Sequence, residues 1–107
     1  MRFCFVYITV GSLDEARTIG GKLVEEHLAA CANILPQMES VYRWKEKIQH
    51  DEEIVLIAKS DYSRLEALTN RVKALHSYEC PCVVALPIEG GNPDYFQWLS
   101  DQLEGDQ

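Results

Sequence analysis

The tract from residue 33 to residue 59 most constrains what this chain can fold into, because it carries no helical periodicity. Val41, Tyr42, Trp44 and Ile48 mark one extended arm, and the run EIVLIAK at residues 53–59 marks a second. The turn between the arms is predicted near Gln49, His50 and Asp51. Read generously, the first arm spans about 15 residues, far above the usual strand of about 5–6. A hairpin that long overruns the body of a small domain, and its free edge and aromatic side chains are a liability in a monomer. A bend or bulge answers part of the excess. Pairing between subunits is expected to answer the rest.

The flanking segments fix the order of elements. Residues 2–10, RFCFVYITV, are apolar on both faces, as in a central strand covered on two sides. One Arg before an apolar run loosely imitates a signal peptide. However, aromatic and β-branched residues dominate it and no small-residue cleavage site follows, so the protein is expected in the cytoplasm. Ser12 and Glu15 form a capping-box pattern. The helix it opens carries Leu13, Ala16, Leu23, His27 and Cys31 at near-helical spacing. Gly20 and Gly21 weaken its middle by up to ~1 kcal/mol each relative to alanine, a pair that close backbone approach to another element would explain.

Ser60 begins a second predicted helix with Leu65, Leu68, Val72 and Leu75 on one stripe, ending before Pro81. CVVALPI at 82–88 is a further strand. Asn92 and Pro93 then start a last helix as N-cap and first-turn proline, with Phe96, Leu99 and Leu103 on its apolar stripe and Tyr95 and Trp98 beside them. The order β-α-β-β-α-β-α defines a ferredoxin-like α+β fold with an extra C-terminal helix, as one domain over residues 1–107.

Charge narrows the partners. The net charge is −7, with ten basic residues scattered among seventeen acidic ones, so no clustered basic surface for nucleic acid is expected. No apolar run approaches the ~20 residues of a membrane helix. Without a secretory signal, Cys4, Cys31, Cys80 and Cys82 are read as reduced thiols.

Several stretches together resemble one family. Ala30-Cys31-Ala32-Asn33-Ile34, Ser40-Val41-Tyr42-Arg43-Trp44, Glu53 with Lys59-Ser60, His76-Ser77-Tyr78-Glu79-Cys80-Pro81 and Tyr95-Phe96-Gln97-Trp98-Leu99 are similar, in order and spacing, to the motifs of the CutA divalent-cation-tolerance proteins. The resemblance implies a homotrimer similar in architecture to the PII signalling proteins, assembled here through the 33–59 hairpin. It also implies a response to divalent metal ions, copper foremost, and no established enzymatic reaction. Two departures stand out. The family's turn glycine is replaced in Trp44-Lys45-Glu46-Lys47. Of the copper ligands proposed in some members, the matching positions here are Val10, Leu75 and His76, so the carried-over metal residue is His76.

The residues themselves leave the chemistry open. Cys80 and Cys82 are two apart, so in an extended segment both emerge on one face. With His76 and Glu79 they form a sequence-local donor set for copper or zinc. Packing is the stronger reading for Cys82, since free Cys is among the most buried residue types. Cys4 is expected opposite Pro87 or Ile88, far from Cys82. His27 and Cys31, four apart on the first helix, are a ligand or base–thiol pair or merely an inert buried thiol beside a histidine. His76 alternatively caps its helix, Tyr78 and Trp98 pack at a cleft between subunits, and His50 is solvated. No Walker loop, GxGxxG, HExxH or GxSxG is present, so a binding protein is expected rather than an enzyme. The alternative to cation tolerance is a PII-like trimeric signalling module that takes a small metabolite or partner protein in intersubunit clefts.

Overall fold

The computed structural model describes residues 2–105. Its elements run β1 (Phe3–Val10), α1 (Leu13–Glu25), β2 (Cys31–Trp44), β3 (Lys47–Asp61), a 3-10 turn (Tyr62–Arg64), α2 (Leu65–Leu75), β4 (Val83–Pro87) and α3 (Pro93–Glu104). The four strands form one antiparallel sheet in the order β2-β3-β1-β4. This is the expected ferredoxin-like α+β architecture with an added C-terminal helix.

Alternation along β1 splits the sheet into two unlike faces. Cys4, Val6, Ile8 and Val10 are buried, and with Leu56 and Ala58 of β3 they pack against Ile19 and Leu23 of α1 and Leu68 and Val72 of α2. The intervening Phe3, Phe5, Tyr7 and Thr9 are only half-buried. β1 is thus fully covered on one side only, not on two. Over Phe3 the second face is covered by α3, whose Leu99 and Leu103 close a smaller core with Ala30 and Phe96. Beyond that helix the face stays open.

Local chemistry explains most boundaries. Ser12 caps α1 by accepting from the Glu15 amide at 3.2 Å, but the Glu15 carboxylate reaches Ser77 rather than closing the box. Gly20 is buried, and a Cβ there would lie 3.1 Å from Leu56 Cδ1 and 3.3 Å from Ala32 Cβ, whereas Gly21 has open space. Close approach therefore accounts for one glycine of the pair. Asn92 and Pro93 start α3 as expected.

Three sequence expectations change, and one, the bulge, is met. The first helix ends at Glu25, so His27 and Cys31 do not share a helix face: His27 sits at φ +59° and Cys31 begins β2. A chain leaving a helix through a left-handed residue cannot continue its stripe. Ser60 lies within β3, and α2 begins only after Asp61 accepts from the Arg64 amide at 3.1 Å. The hairpin turns at Lys45 and Glu46, and Gln49, His50 and Asp51 lie inside a 15-residue strand, close to its start. A bulge between Leu35 and Met38 sets Pro36 and Gln37 against the single residue Ile54. It bends β2 where proline has no N–H to give.

Two-residue hairpins of the I′ type need positive φ at both central positions. Lys45 at +51° and Glu46 at +69° supply it without glycine or asparagine, a conformation that costs a non-glycine residue about 1–2 kcal/mol. Lys45→Asn with Glu46→Gly is therefore expected to raise stability by about 1 kcal/mol, read as a higher urea midpoint. A lowered midpoint would contradict this account of the turn.

Candidate functional site

The arm of the hairpin, the open end of β1 and the segment between α2 and β4 enclose a groove of about 690 Å³. Its walls are aromatic: Tyr7 from β1, Tyr42 and Trp44 from β2, and Tyr78 after α2. Its polar groups are the carboxylates of Glu39, Glu53 and Glu79 and the thiols of Cys80 and Cys82, with the Met38 thioether beside them.

Glu53 sits on the face of β3 that also carries Val55 and Ile57, where an acid interrupts an apolar stripe. It is only 7% exposed. The Tyr78 hydroxyl donates to its Oε2 at 2.7 Å. The Tyr78 ring reaches that position because it lies over Gly11, where a Cβ would come within 3.2 Å of the hydroxyl oxygen and 3.3 Å of the ring. Burial, then the bond to Glu53, push the Tyr78 phenol well above its usual range, so it stays a donor. On the opposite wall the Tyr42 hydroxyl donates to Asp51, and the Tyr7 hydroxyl donates to Met38 Sδ at 3.2 Å.

His76 stands behind the groove rather than in its lining, with its side chain fully buried. The Tyr78 amide donates to its Nδ1 at 3.0 Å. Nε2 therefore carries the proton and donates to the Thr9 carbonyl at 2.8 Å. Glu15 Oε2 lies 3.8 Å from Nδ1 and also accepts from the Ser77 amide at 2.6 Å. The ring thus ties α2's exit to β1 and holds the backbone of Tyr78. It does not cap its own helix; the backbone N–H of His76 does that, bonding the Val72 carbonyl at 2.8 Å.

The expected donors separate into two groups. Glu79, Cys80 and Cys82 share the groove, as the two-residue spacing of the thiols predicts. His76 has both ring nitrogens engaged, so ligation by Nδ1 requires release of the Tyr78 amide. Among the described residues no three His, Cys, Asp or Glu side chains gather closely enough to hold a metal ion. The donor types suit copper; their arrangement in one chain is not a closed coordination sphere.

The remaining candidates lie elsewhere. Cys4 is buried on the helix-covered face opposite Pro87, as expected from the pairing of β1 and β4. Cys31 Sγ meets the Tyr95 hydroxyl at 3.6 Å, and Lys59 Nζ reaches the same hydroxyl at 3.3 Å. His27 Nδ1 contacts the Gln102 carbonyl at 2.8 Å, at the end of α3. His50 is exposed on β3, and Trp98 stacks on Tyr95 outside the groove. Glu53, Tyr7 and Met38 had not been singled out as groove residues. For Glu53 the signal was its place at the head of the apolar stripe Val55, Ile57.

Comparison with known proteins agrees with this fold. The CutA1 divalent ion tolerance protein model matches residues 4–102. The chain is 49% identical over 96 residues to the divalent-cation tolerance protein CutA of Thermus thermophilus, covering 90% of this chain and 93% of that one. It is 49% identical over 96 residues to the chloroplastic protein CutA 1 of Oryza sativa, covering 90% of this chain and 54% of the relative. It therefore spans about half the length of that plant protein. The crystal structure of CutA1 from Oryza sativa superposes with a TM-score of 0.93 at 46% identity, over 95% of this chain and 94% of that one.

Thiol chemistry offers a check on the site. Cys80 is exposed, and burial raises the Cys82 thiol. Burial, then the charge of Asp61, raise Cys4 to about 11. Alkylation of the native protein at pH 8 is expected to label Cys80 first, Cys82 more slowly and Cys4 last, as read by peptide mass spectrometry. Labelling of Cys4 ahead of Cys80 would contradict the assignment.

Proposed function

Because the chain belongs to the CutA1 divalent ion tolerance family, we propose that it works in the cytoplasm as a homotrimer that binds divalent cations, copper foremost. The observation that carries the cation reading is the groove, where Glu53, Glu79, Cys80 and Cys82 face one space with His76 directly behind. Thiols, imidazole and carboxylate together suit copper. In this reading Cys80, Cys82 and Glu79 supply donors, and His76 Nδ1 joins them by giving up the Tyr78 amide. The single chain leaves the set unclosed, so a neighbouring copy or a shift of the 76–82 segment completes it.

The trimer has independent support. Leu35, Val84, Leu86 and Trp98 are about half-exposed on the uncovered sheet face or beside it, and Val41, Trp44 and Ile48 are exposed on the arm. An apolar surface of that extent marks an association face. The strand residues 3–10 that imitate a signal peptide form β1 in the middle of the sheet. No helix among the described residues is long and apolar enough to cross a membrane. The Thermus thermophilus relative is named for divalent-cation tolerance and not for a reaction, in keeping with a binding role rather than an enzymatic one.

A second reading is favoured by the size and lining of the groove. About 690 Å³ with aromatic walls is the scale of a small-molecule site, as a trimeric signalling module of the PII type would use.

Titration of Cu(II) and Zn(II) by calorimetry tests the cation reading. Cys82 enters as a thiol, its pKa raised by burial, so binding is expected to release protons and to weaken as pH falls. His76→Ala and the pair Cys80→Ser with Cys82→Ser are each expected to weaken Cu(II) binding by at least about tenfold, the scale of a lost ligand or of its support. Isotherms indistinguishable from wild type would remove those residues from the site.

A further inference from the structure

Among the described residues Glu53 has no counter-charge. It is 7% exposed, and the one hydrogen bond its side chain makes to those residues is from the neutral Tyr78 hydroxyl to Oε2. It forms no ion pair with Lys, Arg or His among the described residues. No buried side-chain oxygen in those residues lacks a partner, so Oε1, which receives no protein donor, is not fully buried, and the residue that carries it lines the groove. Buried carboxylates are ordinarily paired with a cation, because burial strips the water that stabilises their charge. Nothing that lines this groove supplies one: its charged residues are Glu39, Glu53 and Glu79.

The walls decide what kind of cation fits. A small dication holds its water tightly and asks for a ring of oxygen or soft donors, and among the described residues of one chain no such group of three is gathered to answer the Glu53 charge without the completion proposed above. Tyr7, Tyr42, Trp44 and Tyr78 offer aromatic surface instead. Aromatic faces attract weakly hydrated organic cations through the ring quadrupole. A free carboxylate oxygen in a groove of about 690 Å³ rewards a ligand with an N–H to donate and a carbon chain to lay on the walls.

We propose that this groove binds a small protonated amine, its ammonium group donating to Glu53 Oε1 and its carbon chain lying along the aromatic walls. The Tyr78 hydroxyl, held as a donor, fixes the other carboxylate oxygen and so aims Oε1 at the ligand. Glu39 and Glu79 favour a ligand with a second ammonium. The proposal rests on the small-molecule reading of the groove and gives that reading a ligand class.

The test uses the full, metal-free chain in phosphate buffer, since common amine buffers would compete. Putrescine, butanediol and succinate share a four-carbon chain and differ in the charge of their ends. Calorimetry is expected to show saturable binding of putrescine and none of butanediol or succinate. Glu53→Gln keeps the shape and removes the charge, and is expected to weaken putrescine by about tenfold or more, as loss of a charged hydrogen bond does. Trp44→Leu, at an exposed position of the arm, is expected to weaken it about two- to fivefold, and serves if the Glu53 variant fails to fold. Binding of butanediol or succinate in preference to putrescine would overturn the amine proposal while leaving a small-molecule groove standing. Heat from none of the three would overturn both. Unchanged putrescine affinity in a folded Glu53→Gln variant would overturn the assignment to Glu53.

Discussion

The pairing of β2 with β3 is the constraint on which the rest of this structure depends. Its ladder runs from Cys31 opposite Lys59 to Trp44 opposite Lys47, interrupted once by the bulge at Pro36 and Gln37. At ~3.3 Å per residue the 15 residues of β3 outreach every other element, and the chain measures 47 × 25 × 22 Å in consequence. The base of the ribbon is covered by α1 on one face and α3 on the other. The arm beyond Met38 has neither helix, so its Tyr and Trp side chains have only the groove or another subunit to meet. The exposed apolar side chains of the arm and the groove beneath it both follow from that excess length.

The groove is held in shape by contacts that are individually small. Gly11 lets the Tyr78 ring lie against β1, and that ring places a hydroxyl on Glu53. His76 anchors the same segment through Thr9 and the Tyr78 amide, and Glu15 holds Ser77. The histidine therefore serves geometry first, and the ligation proposed for it would compete with that service. The two proposals for the groove call on different groups lining one space: the thiols and Glu79 for a soft metal, Glu53 and the rings for an organic cation.

The apolar run RFCFVYITV, the cap at Asn92 and Pro93 and the order of apolar runs were enough to give the sheet, its antiparallel β1–β4 pairing and the terminal helix, but not the one-sided covering of β1. The hairpin tip was misplaced because Gln49, His50 and Asp51 read as turn chemistry, whereas Lys45 and Glu46 turn in a conformation their side chains disfavour. The ladder on either side overrides that local preference. The reach of α1 to Cys31 failed for a similar reason: near-helical spacing continued past Glu25, while the backbone turned left-handed at His27. The thiols' shared face was readable from spacing alone. The role of Glu53 was not, because an acid at the head of an apolar strand becomes informative only when its neighbours across the sheet are known.

The central claim is that the overlong ribbon and the uncovered sheet face belong to an assembly of three. Sedimentation equilibrium at micromolar concentration measures this most directly. The account predicts a mass three times that of the 12.2 kDa subunit, falling toward one subunit when Leu86 on the uncovered face is replaced by aspartate. A stable single-subunit mass for the unmodified chain would contradict it.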